Sequence, residues 1–287
     1  MLADAIRSEA YRFSKNRMGV FWSTLFVPVL MLVIGVAVYL FTKARMAEVM
    51  EKAPELAAEM PAGTVDLGQT LVSAAGGFAN PITLLFILIG VATLYAGDYR
   101  WETWRLTSAR NSRPNLLLGK LAVVTGVTLL ALVFWLVFQM IDGVISAAIF
   151  DSNLTFTMDG TDFGQFAALA ALNIVRVLQF TMIGLLAAVF TRSLLAALFV
   201  PLVVAVGQFF LGQSMGLIGL ESSDWIAHLA MPALGVDALK TVIQDGFVTT
   251  NAPDGIVLKA IVGLTAWTLI PLAAALAWFQ RQDLSKE

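Results

Sequence analysis

The chain has 287 residues, of which 59% are hydrophobic and 13% charged, with a formal net charge of −2 and a mean hydropathy of +0.82. An ordinary soluble domain has about 45–50% apolar and about 25% charged residues, so a water-soluble globule is excluded. There is no cysteine, and His228 is the only histidine. That removes disulfide frameworks, thiolate metal sites, cysteine nucleophiles and two-histidine zinc motifs.

In chain order, residues 2–18 read as an amphipathic helix. Leu2, Ile6, Ala10 and Phe13 share one face at helical spacing, and Asp4, Arg7, Arg12 and Lys15 lie away from it. A basic amphipathic helix beside an apolar run is expected to lie in the membrane surface, so residues 1–19 are expected to be a cytoplasmic interfacial segment in contact with lipid. The run Val20–Phe41 is longer than the about 7–15 apolar residues of a cleaved signal peptide and reads as a retained first span.

Crossing the bilayer takes about 20 apolar residues in a helix. Val20–Phe41, Asn80–Gly97, Leu116–Ile141, Phe166–Phe190, Leu194–Leu211 and Ile256–Phe279 meet that requirement. The expected fold is therefore an all-α membrane protein, with residues 20–287 forming one six-span domain. Twelve Lys and Arg flank the spans on the side of the N-terminus, against five on the other. The excess of basic residues predicts that both termini are cytoplasmic, in a multi-pass protein of the cell membrane. Trp22, Tyr39, Tyr95 and Trp278 fall near the predicted interfaces.

Two outer loops are long. In 42–79, Lys43–Lys52 is expected to continue the first helix until Pro54, and Ala75-Gly76-Gly77 to break the chain before Asn80-Pro81 opens the second span. Met46, Met50 and Met60 lie here with no other soft ligand nearby, so no metal or cofactor is expected. Loop 212–255 is too apolar for a solvated linker. Its segments Trp225–Leu229 and Val236–Val242 read as short re-entrant or interfacial helices separated by Met231-Pro232.

The stretch that draws attention is the cytoplasmic loop 98–115. Asp98, Tyr99, Arg100, Trp101, Glu102, Thr103, Trp104, Arg105, Arg110 and Arg113 form a helix-prone, Arg- and Trp-dense run held between two spans. Such residues are enriched at binding hot spots, and a partner gripping the run could move both spans. The pattern Asp98, Thr103, Leu106, Ser112-Arg113 and Lys120 resembles the signature of the ABC type-2 transporter permease family. Asp98 stands where Glu is commoner and Glu102 where Gly is usual. The terminal F-Q-R-Q-D-L also resembles the family's ending.

The resemblance implies an N-terminal elbow helix, a cytoplasmic coupling helix between spans two and three, and a re-entrant outer segment between spans five and six. It implies an ATP-driven exporter in the inner membrane whose two permease subunits, identical or homologous, each dock a separate ABC ATPase subunit. No phosphate-binding G-x-x-x-x-G-K-[ST] loop occurs in this chain, so the chain itself is expected not to be an enzyme. Nucleic acid is not an expected partner. An ion-gradient-driven transporter or a membrane-embedded enzyme are the alternatives. The family arrangement puts spans two and five near the dimer axis, where Gly90, Ala92, Gly97, Ala196, Ala197, Ala205 and Gly207 are small enough for close helix approach.

Polar residues inside spans are costly and usually pair or face a wet cavity. Asn173, Arg176 and Gln179 form a stripe on the fourth span, and Gln139 and Asp142 lie on the third. Folding spans three and four into a hairpin predicts that Arg176 meets Asp142 or Gln139.

Overall fold

The computed structural model describes residues 2–52, 63–100, 104, 111–248 and 252–282. Helix α1 (Leu2–Lys15) buries Ala5, Glu9 and Phe13. These lie four apart and press on α6 (Arg113–Ile149) at Gly119, where an added Cβ would come within 3.0 Å of the Ala5 Cβ. The buried face is therefore not Leu2, Ile6, Ala10 and Phe13; Leu2 and Ala10 are exposed, and Phe13 alone is common to both. Apolar periodicity misses the real stripe because a carboxylate occupies its centre.

The chain turns at Asn16, whose Oδ1 accepts from the Gly19 N–H and whose Nδ2 donates to Thr93 Oγ1. Then α2 (Arg17–Val20), a π-helical turn (Phe21–Leu25) and α3 (Phe26–Lys52) follow in sequence. Widened turns of this kind bring one extra residue to a helix face. Here the buried Ser23 meets α5 (Pro81–Arg100) at Gly90, where a Cβ would stand 2.7 Å from the Ser23 Cβ.

Residues 63–79, the described part of loop 42–79 beyond α3, are more structured than their sequence suggests. Strand β1 (Thr64–Asp66) pairs in parallel with β2 (Asn153–Thr155), so a two-stranded ribbon joins loops that are distant in the chain. The side chain of Asp66 caps α4 (Leu67–Gly77) by accepting from the Gly68 and Gln69 N–H groups, and also takes Thr155 Oγ1 and the Thr157 hydroxyl. These bonds, the Thr157 hydroxyl's first, hold its carboxyl well below the usual aspartate range. Residue 68 must be glycine, since a Cβ there would overlap the Thr157 carbonyl oxygen.

Ala75-Gly76-Gly77 is not the predicted break. It is the last turn of α4, and the chain breaks only at Phe78–Asn80. Asn80 then caps α5 by accepting from the Ile82 and Thr83 N–H groups. The break is held by the buried Asn173 of α7 (Gly160–Thr191). Its Nδ2 donates to the Ala75, Gly76 and Leu169 carbonyls, and its Oδ1 accepts from the Ala79 N–H. Trp135 Nε1 adds a bond to the Ala74 carbonyl from the other side.

Helix α7 is the hub, packed against α4, α5, α8 (Leu194–Ser214), α10 (Pro232–Gln244) and α11 (Ile256–Arg281). The short α9 (Trp225–Ala230) lies against α11, whose Trp267 Nε1 donates to the Leu229 carbonyl. Six described helices are long and apolar enough to cross a membrane: Arg17–Glu48, Pro81–Tyr99, Arg113–Ile149, Gly160–Thr191, Leu194–Leu217 and Ile256–Arg281. These are the six expected spans, lengthened at their ends. Val33, Val38 and Phe41 of α3 and Phe199, Val203 and Phe210 of α8 point outward. An apolar exterior on this scale suits lipid and not water, and the chain is a multi-pass membrane protein. Tyr95, expected at an interface, is instead fully buried in the core beneath α7.

The small residues expected on a dimer axis are partly used within the chain. Gly90 receives the π turn, Ala92 is buried, and Ala197 packs its carbonyl against Gly184. Helix α5 is largely enclosed by its own chain, whereas α8 is peripheral.

Asn173 satisfies three backbone groups at the α4–α5 break, and Asn173→Ala leaves them without that partner in a buried place. We expect a loss of about 2–4 kcal/mol, read as a lower thermal midpoint in detergent. Faster amide exchange at 76–80 should accompany it. An unchanged midpoint would remove Asn173 from this role.

Candidate functional site

At the end of the bundle that carries α1, four charged side chains from three helices meet. Lys120 of α6 puts its ammonium 2.6 Å from Asp98 Oδ2, 3.1 Å from Glu9 Oε2 and 2.8 Å from the Leu94 carbonyl. Arg12 reaches Glu9 at 2.9 Å and Asp98 at 2.5 Å. The Lys120 and Asp98 side chains are each 1% exposed and Glu9 4%, while Arg12 keeps 40% of its surface. The set is neutral, two acids against two bases. The carboxylates raise the Arg12 pKa despite the opposing cost of burial.

Two features make such burial tolerable. Taking an ion out of water costs several kcal/mol, but each carboxylate here has two cationic neighbours, and Lys120 finds three oxygen partners. Lys120 also lies 5.2 Å above the Trp104 ring. Trp104 is itself buried, between Tyr99 at 5.5 Å and Phe279 at 4.7 Å. The acids are paired and enclosed, so the cluster presents no free general base. It can join elements rigidly.

The same end gathers the last helix. Tyr99 donates to Gln282 Oε1, and Gln282 Nε2 donates to the Val189 carbonyl at the end of α7. Arg113 Nη1 donates to the Phe279, Gln280 and Gln282 carbonyls, covering the C-terminal end of α11. Both described ends of the chain therefore lie at one end of the bundle.

Of the ten residues expected to meet a partner, four are thus internal anchors: Asp98, Tyr99, Trp104 and Arg113. Trp104 in particular is buried within the chain. The side chain of Arg100, and all of Trp101, Glu102, Thr103, Arg105 and Arg110, lie outside the described residues. Sequence reasoning missed Glu9, the acid on the α1 stripe. The usable signal was its spacing of four from Ala5 and Phe13.

The intramembrane polar residues separate into three groups. Arg176 does not meet Asp142 or Gln139. It donates to Gln179 at 2.9 Å and lies 4.6 Å above the Phe180 ring. Asp142 accepts from Tyr39 of α3 at 2.6 Å, and Gln139 is half-buried on α6. Asn173 holds the α4–α5 break. Arg176 is kept from Asp142 by α4, which packs against both α6 and α7, and it faces the head of α5 instead. There Arg176 lines a cavity of about 480 Å³ with Asp237 and Lys240 of α10.

On the same side as that cavity, His228 is buried in α9 and its Nε2–H donates to the Ser222 carbonyl at 3.0 Å. Burial lowers its pKa from 6.5, Lys259 adds to the shift, and the Ser222 bond opposes it.

Comparison with protein-family models, with curated proteins and with solved structures gives no match for this chain.

Two expectations follow. Lys120→Met leaves two buried carboxylates to share Arg12 alone and should cost about 3–5 kcal/mol; adding Glu9→Gln and Asp98→Asn should recover most of it. A triple variant no more stable than the single would show that the charges are not coupled. For His228, a lowered native pKa means the folded state resists the proton. Stability should fall as pH drops below 6.5, the ordinary value, and His228→Gln should flatten that part of the thermal-midpoint profile relative to wild type. Parallel profiles would rule this out.

Proposed function

We propose that this chain is the transmembrane subunit of an ATP-driven exporter of the ABC type-2 permease class. A separate ABC ATPase docks on the segment between α5 and α6, and a second permease subunit completes the path. What supports the reading most is the buried cluster Glu9–Arg12–Asp98–Lys120 at the root of that segment. It ties α1, the end of α5 and the start of α6 into one unit, with Trp104, Arg113 and Gln282 adding α11 and α7. A push delivered to residues 100–112 would reach four spans and the first helix together, as a coupling element requires.

In this reading α1 is the elbow helix at the cytoplasmic surface and α9–α10 are the outer re-entrant pair. Substrate leaves toward the side of α4 and the β ribbon. Ala196 and Gly207 on the peripheral α8 suit contact with the second subunit, whereas Ala205 packs inside the chain. The absence of a phosphate-binding loop assigns ATP hydrolysis to the partner.

The test is co-expression with a candidate ABC ATPase subunit from the same genome, followed by affinity purification and ATPase assay in nanodiscs. The ATPase should co-purify. Trp101→Ala with Thr103→Ala should lower its retention and its coupled activity by about tenfold or more, as loss of a hot spot of about 2 kcal/mol or more implies, with insertion unchanged. Trp104→Ala should instead lower the stability of the isolated chain. Transport that survives loss of the ATPase but stops when the proton gradient is collapsed would replace this reading with the ion-driven one.

A further inference from the structure

The cavity at the head of α5 has a composition that the coupling role does not account for. Its walls are apolar, from Leu84 and Leu88 of α5, Phe180 of α7, and Leu202 and Phe209 of α8. Its polar side carries Arg176 and Lys240, with Asp237 three residues before Lys240 on α10. Two cations stand against one carboxylate, leaving one positive charge in excess. Among the described residues neither cation forms an ion pair, and Lys240 makes no hydrogen bond. Burial lowers the Lys240 pKa, Arg176 adds to that, and Asp237 opposes it without cancelling it.

The mouth indicates what fits. Phe209 lines the cavity and is also 61% exposed, so the cavity opens onto the outer face of α8, where Val203, Val206 and Phe210 are exposed as well. Depth agrees. From Asn80 at the cavity to Asp98 in the charge cluster, α5 rises about 27 Å at about 1.5 Å per residue. The hydrocarbon core is about 30 Å thick. The Asn80 end of the cavity and the charge cluster therefore lie about one hydrocarbon thickness apart, which suits headgroup depth for that end, with the apolar walls at Leu84 and Leu88 deeper.

We propose that this cavity binds an anionic amphiphile, its phosphate or carboxylate head between Arg176 and Lys240 and its acyl chain leaving past Phe209 along α8. A volume of about 480 Å³ holds a headgroup and the first carbons, and the remaining chain needs only the apolar face outside. Charge-assisted bonds from two cations set the preference for an anion. A soluble anion would lose the contact with the apolar wall. The site needs neither ATP nor an ATPase partner.

Native mass spectrometry of the full chain in detergent, titrated with phosphatidylglycerol or with phosphatidylcholine of the same acyl chains, tests this. Phosphatidylglycerol should bind preferentially. Arg176→Gln with Lys240→Gln should weaken it by about tenfold or more, on the scale of charged hydrogen bonds, while Lys259→Gln, outside the cavity, leaves it unchanged. Asp237→Asn should strengthen binding, a gain that a misfolded chain cannot mimic. Equal binding of the two lipids, or no response to any of the cavity substitutions, would overturn the proposal. Full displacement by millimolar inorganic phosphate would overturn the amphiphile and leave a simple anion site. Failure here would not touch the ATP-driven reading, because no nucleotide or partner enters the measurement.

Discussion

A lysine ammonium with 1% of its side chain exposed is the constraint on which this architecture depends. Out of water its partners are Asp98 and Glu9, held within 3.1 Å of it, and they come from different helices. The position of α1 against α6, the end of α5, and the closeness allowed by Gly119 are therefore one requirement and not three. Ion pairs of this kind are poor sources of net stability, but they are exacting about geometry. A neutral four-charge set tolerates little relative movement of its helices, so displacement of one is passed to the others.

The opposite end is built on backbone satisfaction. A broken helix leaves carbonyl and N–H groups without intrahelical partners, and in an apolar setting each must find another. Asn173 supplies them for the α4–α5 break, with Trp135 and Asn80 completing the set. The β ribbon and the Asp66 hydrogen bonds then fasten the start of α4 to the loop before α7. The packing of α4 against α6 and α7 sets where Arg176 can go, so one short helix determines what kind of cavity the molecule has.

Much of this was legible beforehand. Six apolar runs near bilayer length give six spans wherever they pack, because a helix in lipid must satisfy its own backbone. Their placement followed from residue counts alone, as did the helical continuation to Lys52 and the two short helices, which are parted by Met231 alone with Pro232 opening the second. The polarity of Arg176 marked it as a residue that must find a partner or a cavity. Its company of Asp237 and Lys240 was not visible, since those residues lie some sixty positions away in a loop with no pattern pointing back.

What the sequence by itself determined is what water and lipid decide residue by residue: which segments leave water, how long they are, and which charged residues must be compensated. Only the tertiary structure decided how they are compensated. Nothing in the helix pattern singled out Glu9, and it lies buried because Lys120 waits on a helix more than a hundred residues later. Asp142 and Arg176 looked like natural partners by hairpin geometry, yet Tyr39 takes the first and Gln179 and Phe180 the second. The physical reason is common to both cases. Periodicity reports the polarity of a face, while the free energy of a buried charge depends on atoms within a few ångströms, and only packing brings those together.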